Sequence, residues 1–256
     1  MRRSLTEIYV VGRRILTEMG HKRRSLVMWA IFPALMLILF GLIYAGGSSR
    51  STSFDYTAPG ILIGAALFFS CLGGPVALIV GEREHRTLRR LLLSPLRPSS
   101  YFLGICAAYM AIAVGQTVIV YGIAYVFGGR FHGSVPLGMM IVALSVVSFV
   151  GLGFFFGARF GRRSEDVNGP VAAFGVPLLV LGGTFFPISI LPPYLLKVGY
   201  LDPVLHMNEA LKGVSGGGAS ADEVMVHLFF LVAFSVASVV LGVHSYRGML
   251  KRELSS

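Results

Sequence analysis

Charge is what this sequence has least of. Asp, Glu, Lys and Arg make up 13% of its 256 residues, about half the ~25% usual in soluble domains. That leaves too little polar surface to cover a globule of this length in water, and a soluble fold is excluded. Cysteine is nearly missing. Cys71 and Cys106 both fall in or near apolar runs, and with no CxxC spacing there is no basis for metal or redox chemistry. A Gly-Lys pair is missing altogether. Lys22, Lys197, Lys212 and Lys251 follow His or Leu, so the phosphate-cradling G-x-x-x-x-G-K-[ST] loop cannot be built. If ATP drives this protein, another chain hydrolyses it.

Apolar residues are abundant instead, at 55% of the chain with a mean hydropathy of +0.75. They fall in blocks near the ~20 residues a helix needs to cross a bilayer. The blocks run over 26–45, 57–80, 101–127, 135–158, about 170–187 and 226–246. The expected fold is an all-α membrane protein with six spans. Pro170, Pro177 and Pro187 interrupt the fifth block, which neighbouring helices tolerate by satisfying the freed carbonyls. Leu26–Ala45 is too long for a signal-peptide core and lacks a small-residue cleavage site, so it reads as a retained span. No carboxylate lies inside any block. That argues against a proton- or sodium-driven carrier, leaving at most a sodium site made of carbonyls.

Orientation follows from the basic residues. With six spans, residues 1–25, 81–100, 159–169 and those after 246 share one side and carry 18 Lys/Arg. The other side has Arg50, Arg130, Lys197 and Lys212. Positive charge gathers on the cytoplasmic side, so both termini are expected there. The net charge of +10 then addresses anionic headgroups of membrane lipid, and no nucleic acid partner is implied. Within residues 1–25, Leu5, Ile8, Gly12, Ile15, Leu16 and Met19 recur at helical spacing, with Glu7, Arg13, Arg14 and Glu18 mostly opposite. This predicts an amphipathic helix along the cytoplasmic interface, followed by a transmembrane domain over 26–256.

Four short segments stand out from the spans. Residues 81–96 form a highly charged stretch in which Leu88, Leu91 and Leu92 make one apolar ridge, with Pro95 stopping the helix. Such a ridge suits a groove on a soluble partner. Phe185 to Lys212 is too apolar for a loop and too broken by proline for a span, which predicts short helices dipping into the outer leaflet. Gly153, Gly157 and Gly161 repeat every four residues and predict a close helix–helix approach. Gly213-Val214-Ser215-Gly216 matches the G-x-S-G of intramembrane serine proteases, with His227 and His244 downstream. Its run of Gly, Ala and Ser reads better as a flexible loop, and no third group orients either histidine.

Residues 82–96 resemble the E-R-E-x-G-T-L-E-x-L-L-x-[ST]-P-L signature of ABC-2-type permeases, which have the type V exporter fold. Glu82, Arg83, Glu84, Thr87, Leu88, Leu91, Leu92, Ser94, Pro95 and Leu96 match, while Arg86 replaces Gly and Arg89 replaces Glu. Gly182 to Pro187, Leu191-Pro192, Leu201-Asp202-Pro203 and Glu209 to Lys212 resemble a second region of that family. Asp202 stands where Asn is usual, and His206 where an apolar or aromatic residue is common. The resemblance implies that Glu82 to Pro95 form the coupling helix that meets an ATPase. It also implies that Phe185, Phe186, Pro187, Leu191 and Pro192 belong to re-entrant helices near the exit. Two ABC ATPase subunits are the implied partners, together with a second copy of this chain or a close homologue, in a plasma (inner) membrane. ATP and Mg would sit on the ATPase, with no cofactor and no catalytic role on this chain. The implied cargo is amphipathic: a drug, a glycolipid or a lipid-linked saccharide. A membrane-bound enzyme or scaffold whose 81–96 helix docks some other soluble protein is the alternative.

Overall fold

The computed structural model describes residues 2–21, 23–47, 49–84, 97–160 and 164–255. The predicted docking residues Thr87, Leu88, Leu91, Leu92, Ser94 and Pro95, together with Gly161, lie outside the described residues. Among the described residues the structure is helical, with no strand. Helix α1 covers Arg2–His21, α2 Arg23–Ala45, and α3 the continuous stretch Arg50–Glu84. Then come α4 (Pro98–Val126), α5 (Val135–Arg159) and α6 (Ser164–Leu181). A 3-10 turn at Ile188–Ile190 leads to α7 (Pro193–Gly199), α8 (Pro203–Ser215) and α9 (Met225–Ser255). Proline opens α4, α5, α7 and α8 in the first turn, where its missing N–H costs nothing and its fixed φ suits the helix.

Five of these helices hold stretches long and apolar enough to cross a membrane: α2, α3, α4, α5 and α9. The apolar part of α6, Val171–Leu181, is shorter. The expected fifth block to residue 187 therefore ends at Leu181, where Gly182 and a left-handed Gly183 (φ 69°) turn the chain. Helix α3 is central and mostly buried, whereas α2 and α9 present long apolar faces outward. α3 also runs further than the 57–80 block in both directions, and its middle, Ile61–Leu72, is π-helical. Such i→i+5 winding is rare and occurs mostly as single turns, often at functional sites.

One end of the bundle, here the basal face, holds α1, the end of α3, the start of α4 and the last turns of α5 and α9. α1 lies against α4 with almost no side chain between them. A Cβ on Gly104 would stand 2.6 Å from Val11, and one on Gly12 would stand 3.2 Å from the Gly104 carbonyl. Gly153 and Gly157 of α5 face α3 in the same manner. Added Cβ atoms there would stand 2.7 Å from the Leu72 carbonyl and 3.1 Å from the Ile79 side chain. At the opposite, distal face α8 is buried along nearly its whole length. The segment expected to be a loosening glycine-rich loop from Gly213 therefore starts later. Gly213, Val214 and Ser215 finish α8, and Ser215 is buried with its carbonyl accepting from the His132 N–H at 2.8 Å.

Candidate functional site

At the basal face the chemistry converges on Glu82, in the last turn of α3. By sequence it belongs to an exposed charged segment, yet the carboxyl is 5% exposed. Tyr101, at the start of α4, donates its hydroxyl to Oε2 at 2.6 Å, and Arg14 of α1 donates Nη2 to Oε1 at 3.3 Å. Tyr101 in turn stacks on Tyr246 of α9 at 5.4 Å and 16°. Phe154 of α5 closes the cluster edge-on to both rings and to Phe102. One carboxylate thus ties α1, α3 and α4 directly, and α5 and α9 through Tyr101. Charge-assisted hydrogen bonds of this kind are about twice as strong as neutral ones. Arg83 is half-buried and Glu84 exposed on the turn that leads into 85–96.

Nothing local in the sequence marks Glu82 for burial, because Arg14 lies 68 residues away. The structure thus brings Glu82 into a packed node, next to a half-buried Arg83 and an exposed Glu84.

At the distal face the chain turns between α6 and the 3-10 segment, and that turn is held from three sides. Gly60 and Gly64 of α3 face Thr184 so closely that a Cβ on either would overlap it, at the backbone carbonyl for Gly60 and the side chain for Gly64. Their four-residue spacing is the sequence signal for this approach. Asn208 of α8 donates Nδ2 to the Gly182 carbonyl (2.7 Å) and to Thr184 Oγ1 (3.1 Å). Lys212 of α8 donates Nζ to the Gly183 carbonyl at 2.8 Å and to Glu209 Oε1 at 3.4 Å, and it lies 4.7 Å from the centre of the Tyr56 ring. Burial pushes the Lys212 ammonium below the usual lysine range, with Glu209 opposing that shift. The same turn carries the predicted exit residues. Phe185 stacks on Phe40 of α2 at 5.4 Å, Phe186 meets that ring edge-on at 5.9 Å, and Tyr44 donates to the Phe185 carbonyl at 2.6 Å. Pro187 precedes the 3-10 turn, and Leu191 and Pro192 link it to α7.

Asp202 caps α8, with Oδ1 accepting from the Val204 N–H at 2.9 Å. Burial raises its carboxyl to about 7. Among the described residues no group of three or more His, Cys, Asp or Glu converges on a metal-sized site. Ser215 of the protease-like motif ends α8 with its carbonyl facing His132, and the partner of His227 is His206.

A bundle of long apolar helices with a polar node at each end defines a multi-pass α-helical membrane protein. The comparisons give the family. The ABC-2 type transporter description matches residues 6–214, and the chain belongs to that family. It is 27% identical over 161 residues to the "Probable multidrug ABC transporter permease YbhR" of Escherichia coli (strain K12), covering 62% of this chain and 44% of that protein. It is 25% identical over 171 residues to the "Inner membrane transport permease YhhJ" of the same strain, covering 66% and 46%. Similarity to its "Inner membrane transport permease YadH" is 24% over 220 residues, 84% of each chain. The chain thus spans less than half the length of the first two relatives and most of the third.

Proposed function

We propose that this chain is the transmembrane subunit of an ATP-binding cassette exporter, driven by separate ATPase chains. The family match across residues 6–214 carries this reading. The Glu82 node supports it, because a segment anchored there can pass its displacement to five helices. In this reading the basal face is cytoplasmic, in line with its excess of Lys and Arg. α6 supplies the sixth crossing, and the turn, α7 and α8 form the re-entrant exit. Segment 82–95 docks one ATPase per copy, two copies associate through the outward apolar faces, and ATP and Mg stay on the ATPase. The cargo is amphipathic, a class in keeping with the multidrug description of YbhR.

Co-purification with transport assay tests this directly. The wild-type chain should bring down an ATPase at roughly equal stoichiometry. Leu88→Ala combined with Leu91→Ala should leave the chain inserted and expressed but lose both the ATPase and transport, since interface energy concentrates in a few buried anchors. Retention of both functions in the double variant removes the coupling assignment.

A further inference from the structure

His206 and His227 face each other across the joint between α8 and α9, with their Nδ1 atoms 2.9 Å apart. His206 Nε2 lies 3.0 Å from the Tyr200 carbonyl. A carbonyl only accepts, so that Nε2 carries the proton, and Nδ1 of a neutral His206 presents a lone pair. Phe230 lies flat on the His206 ring at 3.9 Å and 15°, which holds its plane toward His227. The remaining contact needs one proton between the two Nδ1 atoms, supplied by His227.

We infer that His206 and His227 form a proton-operated clasp that holds the buried helix α8 against the first turn of α9. With both rings neutral, His227 Nδ1–H donates to His206 Nδ1. A first added proton goes to His227 Nε2, away from the contact, and leaves the hydrogen bond intact. A second can go only onto His206 Nδ1, where two N–H groups and two positive charges then face each other across 2.9 Å. The clasp holds at zero or one added proton and opens at two.

The surrounding groups do not take over that role. On α8, Glu209 is the carboxylate whose field reaches His227, and it is shared with Lys212. Asp202 caps α8 four residues before His206, and Asp222 and Glu223 precede α9. α5 packs against both α8 and α9 and carries no acid, base or histidine short of Arg159 at the basal end. On α3 the nearby ionisable residues are Arg50, Asp55 and Tyr56, with Asp55 4.0 Å from His132 and Tyr56 beneath Lys212. α6 has Glu165 and Asp166 at its basal start. His206 is 5% exposed while His227 is half-buried, so protons reach the pair from the His227 side. Which compartment's acidity is read rests on the orientation proposed above; the clasp itself does not.

A double-mutant cycle at two pH values tests it, using the full chain in mixed micelles where both faces meet the buffer. His206→Gln, His227→Gln and the double variant are unfolded reversibly at about pH 8 and about pH 4, the lower value lying far enough below the usual imidazole range for a second proton to enter beside a charged ring. At the higher pH the pair should be coupled by about two- to tenfold in the folded-to-unfolded ratio, the range for one hydrogen bond. At the lower pH the coupling should vanish or change sign. Equal coupling at both overturns the clasp, as does no coupling at the higher pH. If the buried His206 variants fail to fold, amide exchange of α8 at matched intrinsic rates decides. Protection should fall on acidification in the wild type and stay level in His227→Gln; an equal fall in both overturns the inference.

Discussion

Tyr101 is the most informative single side chain at the basal face, since its hydroxyl donates to Glu82 while its ring rests on Tyr246. Tyr101→Phe keeps the stacking and removes one hydrogen bond to a buried carboxylate. The expected loss is about 1.5–3 kcal/mol of stability, measured by unfolding in micelles, with a further loss of transport if the node relays movement. A change below measurement error would mean that Arg14 alone suffices. Asp202 makes a prediction of the opposite kind. Its carboxyl is raised from 3.8 to about 7 in the folded chain, so between these values the folded state holds a proton that the unfolded state has released. The associated stability is complete below about pH 4 and is lost as pH rises through 7. Asp202→Asn keeps an oxygen for the Val204 cap and removes the titration. Its melting curve should therefore vary less between pH 5 and 8 than that of the wild type, and it should be the more stable of the two at pH 8. A steeper dependence in the variant would refute the assignment.

Helices, more than side chains, were what the sequence made legible. Runs of about twenty apolar residues have few outcomes, and α2, α4, α5 and α9 fall where those runs predict. The ends were less legible, for a physical reason. Arg50 to Tyr56 reads as a polar loop until one sees Ser49 capping a helix start through Thr52 and Gly60 seated under Thr184. Glu82 reads as solvated until Arg14 and Tyr101 arrive from elsewhere in the chain. Both depend on contacts that no local pattern encodes. The packing at Gly60 and Gly64 yields a contrast between two otherwise similar changes. Each glycine changed to alanine should cost roughly 1–3 kcal/mol through overpacking. Thr184→Ala should rescue Gly64→Ala in part, because that clash is with the Thr184 side chain. It should not rescue Gly60→Ala, which meets the backbone carbonyl. Equal rescue of both would show that the turn shifts freely.

For the molecule as a whole, sidedness is the property most open to test. Ser189 and Lys197 are exposed at the distal face and Lys251 at the basal end, while the natural thiols Cys71 and Cys106 are buried. A membrane-impermeant maleimide on intact cells should label Ser189→Cys and Lys197→Cys, and should label Lys251→Cys only after permeabilisation. The reverse pattern would invert the proposed orientation and the compartment read by the histidine pair with it. The all-helical outline with its long apolar helices was readable from composition, and the family from the resemblance. The pairing of Lys212 with the Gly183 carbonyl, and of His206 with His227, was not, because each joins segments that only the folded bundle brings together. One further property belongs to α3, whose loosely wound middle lies between two fixed points. i→i+5 winding takes more residues per turn than i→i+4. Tightening Ile61–Leu72 would therefore turn Glu82 about the helix axis relative to Gly60 and push the two apart. Like a screw clamped at both ends, this helix cannot change pitch without loading the Arg14–Glu82–Tyr101 anchor and the Thr184 seat together. Motion at either face of the bundle is then geared to motion at the other.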